Sequence, residues 1–189
     1  MDLLTLQDSH VYSYLQKWIL SPGYPLIKVT LKNSTDVEVV EITHKRFVYP
    51  MDNMPSYDND DWDIPLSRTT QSEKNFNKTI DVFYTPEGLT FTNEDGGWIM
   101  LNMQGGSFYR VNYDETLWRR IIRSLKGEER KDIHVLNRAQ LVDDIFSIAR
   151  IGDVNYSLAF ELAEFLVDET DYYPWYSALN AFTYIMGKI

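Results

Sequence analysis

GGSFYRVNYDETLW, residues 105–118, is where the chain changes its period. Up to Tyr113 the side chains alternate. Phe108, Arg110 and Asn112 fall on one face of a strand, and Tyr109, Val111 and Tyr113 on the other. From Asp114 the apolar residues recur at three and four. Leu117, Trp118, Ile121, Ile122 and Leu125 make a helical stripe, with Asp114 as its N-cap and Gly127 as its stop. A strand handed to a helix across one capping aspartate predicts a joint between a β segment and an α segment. Arg110, set between apolar and aromatic neighbours, is either a substrate clamp or a charge packed along the sheet against an acid. The residues favour the second, because a net charge of -10 leaves acids in excess.

Upstream of the joint the pattern is β-rich. Residues 10–20 read as a short helix with Tyr12, Leu15 and Ile19 on one face, stopped by Ser-Pro-Gly at 21–23. GYPLIKVTLK (23–32) alternates, with Pro25, Ile27, Val29 and Leu31 on one side, and reads as a half-buried strand. VEVVEITHKRFV (37–48) is a second. A polar loop over 50–61 follows, then WDIPLS (62–67), whose Pro65 suggests an edge strand. TIDVFY and GLTFT are short strand candidates. GGWIMLNM and FYRVNY, joined by QGGS, are expected to form a hairpin. Short strands and turns with no intervening helix predict an antiparallel β-sandwich.

Downstream, NRAQLVDDIFSIARIG (137–152) is the clearest helix. Asn137 and Gln140 have capping-box spacing, Val142, Ile145, Phe146 and Ala149 form the inward face, and Gly152 closes it. A third helix is expected from about Tyr156 to Val167, and a fourth with Pro174 in its first turn. The fold class is therefore α+β in two segments: an antiparallel sandwich followed by a helical hairpin array resembling a truncated solenoid. The outer face of such an array is apolar unless something covers it, which predicts self-association through exposed helix faces.

Composition narrows function mainly by exclusion. The acidic balance argues against a nucleic-acid partner, which needs a basic face. The absence of cysteine removes disulfides and thiolate metal ligands. No apolar stretch reaches about 18 residues, so no membrane segment is expected. The N-terminus lacks the basic start and unbroken apolar run of a signal peptide. N-x-S/T sequons at Asn33, Asn77 and Asn155 are candidate glycosylation sites.

The sequence carries no recognisable catalytic or metal-binding motif. His10, His44 and His134 are scattered and form no HExxH. Asp143 and Asp144 are neighbours on a helix, so their side chains diverge by about 100° and should not chelate one ion together. They read as a polar helix face. The acids at Asp58, Asp60, Asp61 and Asp63 lack the Gly and Glu of a calcium loop and read as solvated. There is no G-x-S-x-G and no phosphate loop. No catalytic and no metal-binding residue is assigned.

GYPLIKV (23–29), RF (46–47), WDIPLS (62–67), WIMLNMQGGSFYRVNYD (98–114), LNRAQLVDDIFSIARIG (136–152) and ETDYYPWYSAL (169–179) follow one another in this order. Together they resemble the region after the catalytic domain in zinc-dependent aminopeptidases of the aminopeptidase N family, from about Trp18 to the end. Two departures stand out. Ser107 occupies the place of a glycine usual in the family, with Gly105 and Gly106 just before it, so a shifted turn is expected. THKRF (43–47) replaces the commoner Ser-Gln-x-Arg-Phe while keeping Arg46 and Phe47.

The resemblance implies three pieces: residues 1–22 as the last helix of a catalytic domain, 23–114 as the β-sandwich domain, and 115–189 as the first helices of the C-terminal helical domain. It also implies a non-catalytic part, as a fragment or truncated form, of an enzyme that removes N-terminal residues from peptides. The zinc, the HExxH motif and the exopeptidase motif would lie elsewhere in the parent, whose catalytic domain is the implied partner. The chain alone is expected to be inactive. Arg110, Asp114, Trp118, Asn137 and Gln140 are expected to build the junction. Family members are often plasma-membrane ectoenzymes and some are cytosolic. The alternative is a non-enzymatic binding or decoy module that engages the full-length enzyme or another protein.

Overall fold

The computed structural model of the protein describes residues 12, 14–32, 37–49, 62–84 and 88–188. The loop acids Asp58, Asp60 and Asp61, His10 and the sequon at Asn33 lie outside the described residues. The strands are β1 (Tyr24–Lys32), β2 (Glu38–Phe47), β3 (Ile64–Leu66), β4 (Arg68–Thr70), β5 (Val82–Tyr84), β6 (Leu89–Asn93), β7 (Ile99–Leu101) and β8 (Arg110–Tyr113). Residues 14–20 are helical, and the helices after the strands are α1 (Glu115–Lys126), α2 (Val135–Arg150), α3 (Tyr156–Ala163) and α4 (Tyr172–Met186). Short 3-10 turns stand at Met103–Gly105, Glu128–Asp132 and Glu164–Asp168. The last of these tightens the chain after α3, so the regular helix expected to reach Val167 ends at Ala163.

The main sheet has the order β6-β2-β1-β8. β1 and β2 run antiparallel with Tyr24 opposite Phe47 and Lys32 opposite Val39, and β6 adds antiparallel to β2. Two small antiparallel pairs, β3 with β5 and β4 with β7, form the facing layer. Pro65 sits in β3, in a two-stranded pair, where a missing N–H costs no ladder bond on the free side.

The expected hairpin between 96–103 and 108–113 does not form. β7 pairs with β4, while β8 joins the other sheet and runs parallel to β1, Leu26 opposite Arg110 and Val29 opposite Tyr113. The connection is not a two-residue reversal. Asn102, Gln104 and Gly105 all take left-handed backbone, and the Asn102 side chain binds both Ser107 and Tyr109, folding the segment into a compact loop that carries the chain from one layer to the other.

β1 is buried on more than the alternating face. Ile27 and Val29 point into the main core, and Leu26 on the opposite face packs with Phe47 and Ile148 of α2. The helical layer therefore covers one end of the sheet's second face. At the N-terminus Trp18 packs towards Trp62 at 6.1 Å, while Tyr12, Leu15 and Ile19 face outward. The main buried cluster runs unbroken from Ile27 to Ala178 and includes Trp62, Trp98, Trp118 and Phe165.

Candidate functional site

The densest set of buried polar groups lies where β8 meets α1 and α2. It starts with Asp114. The Asp114 N–H donates to the Val29 carbonyl at 2.9 Å, extending the β1–β8 ladder by one residue. One carboxylate oxygen accepts from the Leu117 N–H (2.9 Å) as the N-cap of α1, and the other from the Leu31 N–H (2.5 Å) of β1. One side chain thus ends a strand, starts a helix and satisfies an edge donor. Trp118, one turn into α1, donates its indole N–H to Asn112 Oδ1 at 3.1 Å and meets the Tyr113 ring edge-on at 5.0 Å. The Tyr113 hydroxyl accepts from the Leu101 N–H of the facing layer.

Arg110 leaves β8 on the side covered by α2. Its Nη1 donates to Asp143 and to Asp144, the latter at 2.9 Å, and its Nε donates to the Tyr24 hydroxyl at 2.9 Å. Asp144 also accepts from the Val111 N–H at 3.0 Å. The Arg110 guanidinium lies 5.2 Å from the centre of the Phe47 ring. The pairing expected of Arg110 is present. The reading of Asp143 and Asp144 as a polar helix face holds for Asp143 and needs correction for Asp144: the Asp143 side chain is 51% exposed, that of Asp144 only 4%. Divergent carboxylates can still share one partner, because a guanidinium offers several N–H groups spread in a plane. Burial pushes the Asp144 carboxyl up to about 7, against the pull of Arg110, and the Asp143 charge adds to the push.

α2 does not begin where capping-box spacing put it. His134 is the N-cap, its Nδ1 accepting from the Leu136 N–H at 3.3 Å, and Asn137 is already inside the helix. Val135 and Leu136 extend the helix upstream because the imidazole supplies the acceptor that Asn137 was expected to supply. Freed from capping, Asn137 clamps the loop before β8. Its Nδ2 donates to the Asn102 carbonyl (3.0 Å) and to Gln140 Oε1 (3.2 Å), and its Oδ1 accepts from the Gln104 N–H (2.8 Å). The left-handed backbone of Asn102 and Gln104 is held by these bonds and by the Ser67 carbonyl, which accepts from the Asn102 N–H. Asn102, Gln104 and Glu38 were not singled out from sequence. Asn102 did carry a signal: it is the lone polar residue in WIMLNM, and a polar residue inside an apolar run is most often a satisfied buried group.

The junction borders a cleft of ≈ 590 Å³ whose lining includes Lys28, Lys45, Asp114, Trp118 and Asn155. Lys45 pairs with Asp153 at 2.5 Å, and Arg119, also in the lining, pairs with Glu115 at 2.7 Å. Burial drives the Tyr109 and Tyr113 phenols far up, so neither is a base near neutral pH. Among the described residues no group of three or more His, Asp or Glu is placed to hold a metal ion. No described helix is long and apolar enough to cross a membrane. The arrangement can bind strand to helix tightly. It offers no nucleophile with an adjacent base.

Comparison with known proteins puts this joint in context. A family model described as the ERAP1-like C-terminal domain matches residues 98–188, from just before β7 to just past α4. The chain is 33% identical over 185 residues to a membrane alanyl aminopeptidase of Heliothis virescens, covering 96% of this chain. It is 34% identical over 177 residues to an aminopeptidase N of Plutella xylostella and 31% over 179 residues to human aminopeptidase N, covering 90% and 92% of this chain. The chain belongs to the aminopeptidase N family. Its match is to the C-terminal region of that family, and it spans 18% of the length of each of these relatives. In this aminopeptidase N-family chain the family model opens at Trp98, so it takes in β7, the clamped loop and β8 together with the helices they lock against.

Proposed function

We propose that this chain is a non-catalytic C-terminal part of a zinc aminopeptidase that removes N-terminal residues from peptides, and that it acts as scaffold. Residues 23–114 would prop the catalytic domain, and residues 115–189 would begin the helical domain that restricts access to it. Residues 1–22 would be the last helix of the catalytic domain. The observation that carries this reading is the junction itself. Arg110, Asp114, Trp118, Asn137 and Gln140 spend their polar groups on neighbouring side chains and on backbone, so they serve rigidity and leave nothing directed at a substrate. In such an enzyme a zinc ion held outside this chain would activate the attacking water.

The test is hydrolysis of an aminoacyl-anilide by the purified chain. No turnover is expected, with or without added zinc. Turnover that a chelator abolishes would overturn the scaffold role. The second reading, a binding or decoy module, is favoured by the apolar outer face of α4, where Tyr172, Leu179 and Met186 are largely exposed. Capture of the full-length enzyme by immobilised chain would support it.

Glycosylation at Asn77 and Asn155 belongs to the same proposal and is supported by their exposure. Asn155 uses only its carbonyl oxygen, which accepts from the Ser157 N–H to cap α3, so its amide nitrogen is available for a glycan. Secretion from eukaryotic cells followed by glycosidase treatment should give a mass shift that Asn155→Gln reduces.

A further inference from the structure

Arg150 is the last residue of α2, and two tyrosine rings sandwich its guanidinium. The central carbon lies 3.9 Å from the middle of the Tyr49 ring, just past β2, and 3.8 Å from that of Tyr184 on α4. Stacking of this kind occupies the faces of a guanidinium. Its N–H groups point outward in the plane and are left over. In Arg150 they donate to no acceptor and meet no carboxylate among the described residues. That is unusual in a chain whose acids outnumber its bases by 28 to 18. Arg110, Arg120 and Arg138 each reach at least one carboxylate at 2.9 Å or less. Arg150 is thus held as firmly as they are, with its donors unspent and its side chain exposed.

Arg150 lines a recess of ≈ 160 Å³ enclosed by α2, the start of α3, the inner side of α4 and Tyr49. Ser147, Tyr156 and Asn180 line it too, and each is a neutral group able to donate a hydrogen bond. Burial raises the Tyr156 phenol, with Arg150 pulling the other way, so the hydroxyl keeps its proton at neutral pH. Asp143, also in the lining, is engaged by Arg110. We propose that this recess binds a carboxylate group, taken bidentately by the edge of Arg150 with Tyr156 and Asn180 as further donors. The planar fork of a guanidinium matches two carboxylate oxygens. A single negative charge suits the recess, because the Asp143 charge repels a dianion such as phosphate about twice as strongly. The space equals roughly five waters at about 30 Å³ each, room for a carboxylate and its first carbons, so the rest of a larger ligand stands outside. The two rings have already immobilised Arg150, and little ordering is lost on binding. A small free acid and an Asp or Glu side chain of another protein offer the same group. The site lies between the chain's own layers and goes beyond the scaffold reading.

The experiment is a nuclear magnetic resonance titration of the chain in which sodium acetate replaces sodium chloride at constant ionic strength and neutral pH. The Arg150 Nε–H resonance and the backbone amides of Ser147, Tyr156 and Asn180 should shift together and saturate, with a millimolar dissociation constant. Phosphate should bind more weakly than acetate. Arg150→Lys keeps the charge and loses the fork, and should weaken acetate binding at least tenfold. Tyr156→Phe should weaken it roughly threefold, and Lys131→Gln on a distant surface should leave it unchanged. N-acetylglutamate α-amide separates the two sources: binding as tight as that of acetate assigns the site to a protein side chain, and binding of acetate alone assigns it to a small free acid. Resonances that do not saturate at several tens of millimolar acetate would overturn the proposal. So would Arg150→Lys binding acetate as tightly as the parent, because a point charge would then suffice. If Arg150→Lys does not fold, the Arg150 Nε–H of the unaltered chain decides alone, and an unmoved resonance overturns the proposal.

Discussion

At the scale of single residues the two neighbouring aspartates carry very different loads. Asp143 meets Arg110 from the solvent side and Asp144 from within. Removing a buried member of an ion pair leaves its partner uncompensated and costs about 3–5 kcal/mol, whereas an exposed pair contributes about 1 kcal/mol or less. Asp144→Ala should therefore lower the stability of the chain by about 3 kcal/mol, since it also orphans the Val111 N–H, and Asp143→Ala by under about 1 kcal/mol. Urea titration of both variants checks this, and equal losses would contradict the geometry. Asp114→Ala should cost more than an ordinary N-cap, about 2 kcal/mol or above, because the Leu31 N–H loses its acceptor along with Leu117. That Arg110 pairs with an acid was legible from its neighbours and from the charge balance. Which acid was not, since the choice depends on where α2 crosses β8. A hint did exist: Asp144 lies three residues after Leu141 and four before Ile148, on a stripe that the structure buries.

At the scale of elements, β2 and α1 are tied by Glu38 and Arg120. Two guanidinium nitrogens donate to the two carboxylate oxygens at 2.6 and 2.8 Å, and Asn93 donates to the same carboxylate. The Arg120 hydrogen bonds hold the Glu38 carboxyl below its ordinary range. A carboxylate with a depressed folded-state pKa stabilises above its unfolded value, here 4.5, and the contribution disappears as pH falls through the folded value. Arg120→Gln should thus cost about 1 kcal/mol at neutral pH and low salt, less in physiological salt, and almost nothing in acid below both values. A gap between the two proteins that persisted at low pH would count against the pair. α1 begins and ends where its sequence put it: Asp114 is an ordinary N-cap, and Gly127 stops the helix in an extended conformation, its N–H donating to the Ser124 carbonyl. α2 was misplaced because a histidine took the cap, and the hairpin was misread because QGGS has the composition of a tight turn. What sends the chain to another sheet there is the side chain of Asn102, whose partners are visible only in three dimensions.

At the scale of the whole molecule, two kinds of sequence share one interior. The buried cluster runs from Ile27 in the sheet through Trp118 in α1 to Ala178 in α4 without a gap. Strands and helices should therefore unfold together. Near-ultraviolet and far-ultraviolet circular dichroism are expected to give coincident denaturation curves, and an early loss of helix signal would separate the layers. The position of β8 adds a constraint of another kind. It completes the sheet beside β1, and the bond between Arg110 and Tyr24 spans 86 residues. Seating Arg110 there without Asp144 would bury a charge with no adequate counter-ion. During synthesis, then, the sheet waits unfinished until the ribosome has released α2. The nascent chain holds an open edge along β1 for that interval, and this stage of manufacture is where the protein is most exposed to misassociation.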